Sequence, residues 1–236
     1  MKKITPLLLL FTSIISFSQE LTGNQLLEKA IQFHDPNNNW ETFKGELFVM
    51  METPKKSPRK SSIKINLPEE YFSVKAIRDT IVTEYTILKG NCTMAINENK
   101  NPSEELKKNY SLSCERAKLF KNYYTYLYGL PMKLKDEGTI IHQKVEKRKF
   151  KGKYYLVLKV TYAKEVGKDT WYFYFNPKTY AMEVYQFFKD ESKNDGEYIV
   201  LTGLETINDI KMPKNRAWYY NKDNVYLGTD ILSVKN

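Results

Sequence analysis

Five consecutive aromatics, Trp171-Tyr172-Phe173-Tyr174-Phe175, constrain this chain more than any other stretch. A helix cannot place five rings in a row on one stripe, whereas a strand sets them alternately on its two faces. Trp171, Phe173 and Phe175 share one face, which is wholly apolar. Tyr172 and Tyr174 share the other, which carries hydroxyls and is expected to meet water or an interface. Asn176-Pro177 then ends the ladder and opens a turn. The segment therefore predicts a large antiparallel sheet rich in aromatic residues.

The rest of the chain extends this pattern. Leu21-Thr22-Gly23-Asn24-Gln25-Leu26 reads as a helix start, with Thr22 and Gln25 as a capping box and Leu21 against Leu26 as a staple. Leu26, Leu27, Ala30 and Ile31 form the apolar face, and Asp35-Pro36 stops the helix at His34. A period of two follows. Strands are predicted around Leu47–Met51, Ser62–Leu67, Tyr71–Ile77, Ile81–Leu88 and Cys92–Ile96, with Lys55 to Lys60 as a basic loop between the first two. A short helix start at Pro102-Ser103-Glu104-Glu105 precedes a longer helix. That helix is capped by Ser113 and faced by Ala117, Phe120, Tyr124 and Leu127, and it ends at Gly129 and Pro131. Sheet then resumes. A strand over Gln143–Phe150 turns at Lys151-Gly152 into one carrying Leu156, Leu158 and Val160 on a single face. The aromatic strand, Met182–Phe188, Tyr198–Ile207, Ile210–Tyr220 and Val225–Val234 complete the count, with Asn208-Asp209 as a tight turn. The expected fold class is mainly β with helices, with about ten strands and two substantial helices.

Lys2, Lys3 and the short apolar run from Leu7 to Phe17, closed by Ser16-Phe17-Ser18, read as a secretory leader over residues 1–18. The product is expected to be one domain over 19–236, soluble, and periplasmic or secreted after cleavage near Ser18/Gln19. The chain carries a net charge of +9, of which the leader accounts for two. That balance favours an anionic membrane surface or an acidic protein as partner, and export argues against nucleic acid. Two basic clusters stand out: Lys55, Lys56, Arg59 and Lys60, and Lys147, Arg148, Lys149, Lys151 and Lys153. Each reads first as a solvated hairpin tip and second as a docking surface. The two cysteines, Cys92 and Cys114, suggest one disulfide in an exported protein, against the alternative of two free thiols.

The order of leader, capped helix, strands, central helices and strands resembles the LolA/LolB-like carriers of outer-membrane lipoproteins and the related LppX-type lipid-binding proteins. The resemblance rests on the helix at Leu26–Phe33, the turn Phe175-Asn176-Pro177-Lys178-Thr179 and the segment Ile207-Asn208-Asp209-Ile210-Lys211-Met212-Pro213. His34-Asp35-Pro36, Tyr128-Gly129-Leu130-Pro131 and Gly228-Thr229-Asp230 also resemble an uncharacterised family of exported bacterial proteins. The resemblance to the carriers implies a half-open antiparallel barrel wrapped around two helices, with an apolar cavity between them.

The residues spell out no reaction. There is no HExxH, no G-x-S-x-G and no glycine-rich phosphate loop, so neither a metal nor a cofactor is expected. His34 beside Asp35 is the one pair that suits a hydrolase, and it equally suits a helix end. The expected function is a non-enzymatic carrier of a lipid or lipoprotein acyl chain. Its cavity wall would be Trp171, Phe173, Phe175, Leu156, Leu158 and Val160. The alternative is an envelope interaction module whose barrel is filled by its own side chains.

Overall fold

The computed structural model describes residues 20–234, and the leader reading over 1–18 lies outside them. Helix α1 (Gly23–His34) is followed by a meander of β1 (Lys44–Thr53), β2 (Lys56–Asn66), β3 (Tyr71–Arg78), β4 (Ile81–Leu88) and β5 (Asn91–Ile96). Two helices interrupt it, α2 (Glu104–Asn109) and α3 (Cys114–Gly129). The chain returns to sheet as β6 (Thr139–Ile141), β7 (Glu146–Phe150), β8 (Lys153–Tyr162), β9 (Thr170–Phe175) and β10 (Met182–Phe188). It finishes with β11 (Glu197–Ile207), β12 (Ile210–Tyr220) and β13 (Tyr226–Ser233).

All thirteen strands belong to one antiparallel sheet, in the order β5-β4-β3-β2-β1-β13-β12-β11-β10-β9-β8-β6, with β7 also pairing β8. The first and last strands of the chain meet, Phe48 opposite Ser233 and Met51 opposite Asp230. That contact joins the two meanders into one curved wall. The path begins at β5 and ends at β6, which do not pair with each other, so the sheet is a half-open barrel around the helices. The fold is mainly β with helices, as the strand periodicity predicts.

Local chemistry explains the elements. Thr22 and Gln25 form the predicted capping box on α1. Asn208 and Asp209 both adopt positive φ, 50° and 62°, as a two-residue hairpin turn requires. Cys92 and Cys114 are bonded, with Cα atoms 5.8 Å apart, which ties the start of α3 to β5. Gly129 is the last residue of α3, and an added Cβ there would overlap the Trp40 indole. It is a close-approach glycine rather than a left-handed cap.

Several expectations change. The described residues form thirteen strands rather than about ten. The segment from Lys55 to Lys60 is not a loop, because β2 starts at Lys56 and pairs back onto β1 from Thr53 opposite Lys56 to Met51 opposite Arg59. The strand expected over Gln143–Phe150 is broken before Glu146. The chain leaves the sheet to meet α1, where the Gly23 N–H donates to the Gln143 carbonyl at 2.8 Å and Thr22 bridges Lys144.

The largest change concerns the tyrosine face of β9. Tyr172 and Tyr174 are 4% and 3% exposed, not open to water. The β7–β8 hairpin supplies Phe150 and Tyr155, which join Val157, Tyr172, Tyr174, Val184 and Phe188 in a second, outer core. The Arg148 guanidinium stacks on the Tyr172 ring at 4.2 Å and binds Glu146, so it is part of this cover and not a solvated tip. The tyrosine hydroxyls donate to Glu191 at 2.6 Å and Gln186 at 2.7 Å. A buried hydroxyl needs a partner, and these two have one.

His34 and Asp35 hold the fold together. The Met182 N–H donates to His34 Nε2 at 3.0 Å, so the ring proton sits on Nδ1 and is donated to the Lys211 carbonyl at 2.6 Å. The side chain thus pins α1 to β10 and β12. The Asp35 carboxylate accepts from the Asn39 and Trp40 N–H groups, each at 2.8 Å. Both residues are at most 2% exposed. Neither nitrogen of the ring is free to take a proton from a nucleophile, which removes the structural basis of the hydrolase alternative.

Burial lowers the His34 pKa from 6.5 to about 4, although its bond to Lys211 works the other way. The unfolded chain therefore takes up a proton between pH 6.5 and 4 that the folded chain refuses. The site's contribution of about 3 kcal/mol is full above pH 6.5 and is lost as pH falls toward 4. Urea denaturation across that range is expected to show this slope, and His34→Asn is expected to flatten it. Reduction of Cys92–Cys114, which closes a loop with a sequence separation of 22, is expected to lower the unfolding free energy by about 3 kcal/mol. Paired denaturation curves with and without reductant measure that difference.

Candidate functional site

The concave face of the sheet is crossed by α3, whose sequence places aromatic rings on several sides. Phe120 and Tyr124 turn toward Tyr85 of β4 and Phe72 of β3, with ring centroids 5.4 and 6.5 Å apart. Tyr123 stacks on Trp218 of β12 at 6.1 Å. Tyr126 meets Trp171 of β9 edge-on at 5.7 Å, and its hydroxyl bonds that of Tyr162. Glu115, Arg116, Lys118 and Asn122 keep one side of α3 polar and exposed, while its rings meet the sheet. Here the cover is incomplete on one side.

That side is a groove of about 710 Å³ between the second half of α3, the loop after β8 and the ends of β9, β10 and β12. Its walls include Tyr123 and Tyr126 of α3 and Tyr162, Trp171, Phe187 and Trp218 of the sheet, and Asn122, Lys168 and Asp169 also line it. Leu119 is 57% exposed at its edge. The Trp171 ring is stacked on Phe187 at 4.9 Å and on Phe173 at 5.9 Å, so its position is fixed before any ligand arrives. The volume lies within the usual range for small-molecule pockets, roughly 300–1,000 Å³.

The six residues expected to line a cavity part company here. Trp171 is half-buried and lines the groove. Phe173, Phe175, Leu158 and Val160 have no exposure at all and lie in the main core. Leu156 is half-buried against that core. Alternation along β8 and β9 was enough to place these residues on the inner face. It could not separate the part of that face sealed by packed helix from the part left open. The additional groove residues Tyr126, Tyr162, Phe187 and Trp218 carried a weak signal, in that each is a large aromatic at or within two residues of the end of a predicted element.

Beneath the groove lies a buried polar cluster that hydropathy alone did not single out. Arg216 of β12 faces Asp230 of β13 across the ladder, and they are 0% and 1% exposed. Arg216 donates to the Pro213 carbonyl at 2.8 Å and the Leu127 carbonyl at 3.4 Å, and lies 3.8 Å over the Tyr128 ring. It thereby ties the C-terminal turn of α3 to the sheet. The Tyr123 hydroxyl donates to Asp230 at 2.7 Å. Burial raises the Asp230 pKa, while Tyr123 and Arg216 hold it back. Burial also raises that of Tyr123, and the Asp230 charge adds to it. The Tyr128 and Tyr185 hydroxyls, Arg216 Nε and Trp218 Nε1 are buried without a partner among the described residues. Among those residues, no three His, Cys, Asp or Glu side chains gather at metal-ligand spacing, and no helix is long and apolar enough to cross a membrane.

A family model described as "Family of unknown function (DUF6503)" matches residues 2–235. No curated protein matches the sequence. Among solved structures, the chain is similar to a LolA superfamily protein from Nitrosomonas europaea. The TM-score is 0.53 at 11% identity, covering 91% of this chain and 93% of that one. A putative outer membrane lipoprotein-sorting protein domain from Vibrio parahaemolyticus gives 0.47 at 11% identity, over 90% of this chain and 92% of that one. A DUF1329 family protein from Desulfovibrio piger gives 0.48 at 10% identity, over 89% and 90%. The first of these likenesses extends along nearly the whole chain and makes the fold LolA-like.

Arg216→Leu is expected to destabilise the protein by about 1–3 kcal/mol, because it removes the hydrogen bonds to the Pro213 and Leu127 carbonyls and leaves Asp230 with less compensation. The double variant Arg216→Leu/Asp230→Leu is expected to recover part of that loss. Denaturant midpoints of the two variants and the wild type test both statements.

Proposed function

Because the chain belongs to DUF6503, a family of unknown function, we propose its role from the groove: it is a non-enzymatic binding protein that shelters an acyl chain or similar lipophilic group between α3 and the half-barrel. The observation that carries this reading is the aromatic groove itself, apolar-walled, pre-formed around Trp171 and edged by the exposed Leu119. Burying an acyl chain there removes apolar surface from water at about 25 cal/mol per Å². The LolA-like fold is consistent with such a carrier. The leader-like start supports a protein that works in the periplasm or outside the cell, as a single unit over 19–236. The net charge of +9, of which 9 − 2 = +7 belongs to residues 19–236, favours delivery to or from an anionic membrane surface or an acidic protein.

One observation favours the second reading, an envelope interaction module. Phe173, Phe175, Leu158 and Val160 are sealed, so much of the barrel is filled by its own side chains. On that reading the groove would take a partner's side chains in place of a lipid.

Organic extraction of the purified protein followed by mass spectrometry is expected to release an acyl-containing molecule. A fluorescent fatty-acid probe is expected to bind the stripped protein, and Leu119→Asp, at the exposed edge of the groove, to weaken that binding about tenfold with little change in melting temperature. A protein that carries nothing and ignores acyl probes, yet retains a defined partner in a salt-sensitive pull-down, would replace the first reading with the second.

A further inference from the structure

On the other side of α3, three arginines from three elements line one pocket of about 270 Å³: Arg59 of β2, Arg78 at the end of β3 and Arg116 in the first turn of α3. The pocket shares no lining residue with the aromatic groove. Its apolar backing includes Phe120, and two of the guanidinium groups lie over that one ring, Arg116 at 4.9 Å and Arg59 at 5.6 Å from its centre. Like charges gathered over a weakly polar floor repel each other, and a counter-charge relieves the repulsion.

The described residues supply only part of that counter-charge, through Asp79 in the pocket wall and the buried Asp230, whose charge reaches Arg59. None of the three arginines is in an ion pair there, although nine such pairs form elsewhere. Asp79 lines the same pocket, is exposed, and offsets one charge of the three. Arg59 Nη2 donates to the Tyr124 hydroxyl at 3.3 Å. The Nε atoms of Arg59 and Arg78 are buried with no acceptor among the described residues. Buried N–H groups nearly always have one. The Nε–Nη edge of a guanidinium is the fork that grips two oxygens of a carboxylate or phosphate. A carboxylate has two oxygens to offer, whereas a phosphate group offers enough for several forks.

We infer that this pocket binds the phosphate group of a lipid headgroup or of a soluble phosphate compound. The surroundings favour the lipid. Arg59 and Arg78 also line an adjoining cavity of about 470 Å³ whose other walls include Met51, Val225 and Leu227, with Lys55 and Lys56 at its edge. A phosphate held by the arginines would thus have apolar space beside it for the rest of a lipid. The inference stands apart from the acyl-chain reading, because it uses different residues.

The test is calorimetric titration of the purified chain at low ionic strength, with inorganic phosphate and with dihexanoyl phosphatidic acid below its micelle concentration. Arg78→Gln and Arg116→Gln are compared with a control, Lys147→Gln/Lys149→Gln, which removes charge from the opposite edge of the sheet. Each arginine variant is expected to lose at least tenfold in affinity and the lysine control to lose little. Arg78→Lys, which keeps the charge without the fork, is expected to lose several-fold and guards against a folding defect. Binding of phosphatidic acid alone identifies a headgroup site, and equal binding of both ligands identifies a site for the phosphate group itself; both outcomes uphold the inference. Binding of neither ligand overturns it, as does an equal loss in the lysine control. Arginine variants that still bind the fatty-acid probe show the two sites to be separate, so failure of one leaves the other standing.

Discussion

A thirteen-stranded sheet curved into a half-barrel has a concave face that must be covered, and α3 is the element that covers its middle. The helix does this with rings facing in several directions, toward β3 and β4 through Phe120 and Tyr124, toward β12 through Tyr123, and toward β9 through Tyr126. Its start is fixed covalently by Cys92–Cys114, and its end by Arg216 and by the close contact of Gly129 with Trp40. The position of α3 therefore decides what is core and what is groove. A single helix cannot fill both flanks of so wide a concavity, and the two flanks differ in chemistry. One is walled by aromatic rings, the other by arginines.

The order of elements was legible because its signals are local. The capping box at Thr22, the alternation along β8 to β12 and the Asn208-Asp209 turn all act within a few residues. What was not legible depends on where the chain folds back on itself. Tyr172 and Tyr174 have polar ends, so alternation assigned them to water or an interface. Only the β7–β8 hairpin, laid across them by tertiary packing, converts that face into a second core. The break before Glu146 has the same origin, since the backbone there answers α1 instead of the neighbouring strand.

The candidate sites were legible only in part. Trp171 was visible as an inward-facing aromatic, but so were Phe173 and Phe175, and only the course of α3 separates the half-buried ring from the sealed ones. Arg59 was visible as one charge in a basic run. Its meeting with Arg78 and Arg116 depends on strand register and on the helix crossing, which leave no local trace. His34 shows the reverse case. Beside Asp35 it looked like possible chemistry, yet its two nitrogens are spent on the backbone of β10 and β12.

The pairing of β1 with β13 sets a constraint in time. Val49 lies opposite Leu232, nearly the full length of the described chain away. Neither meander can complete the wall before the last strand has been synthesised, and contacts of such long sequence separation form slowly. Until then β1 presents an open strand edge, a surface prone to mispairing and aggregation. The topology itself thus postpones completion of the fold until the whole polypeptide is available.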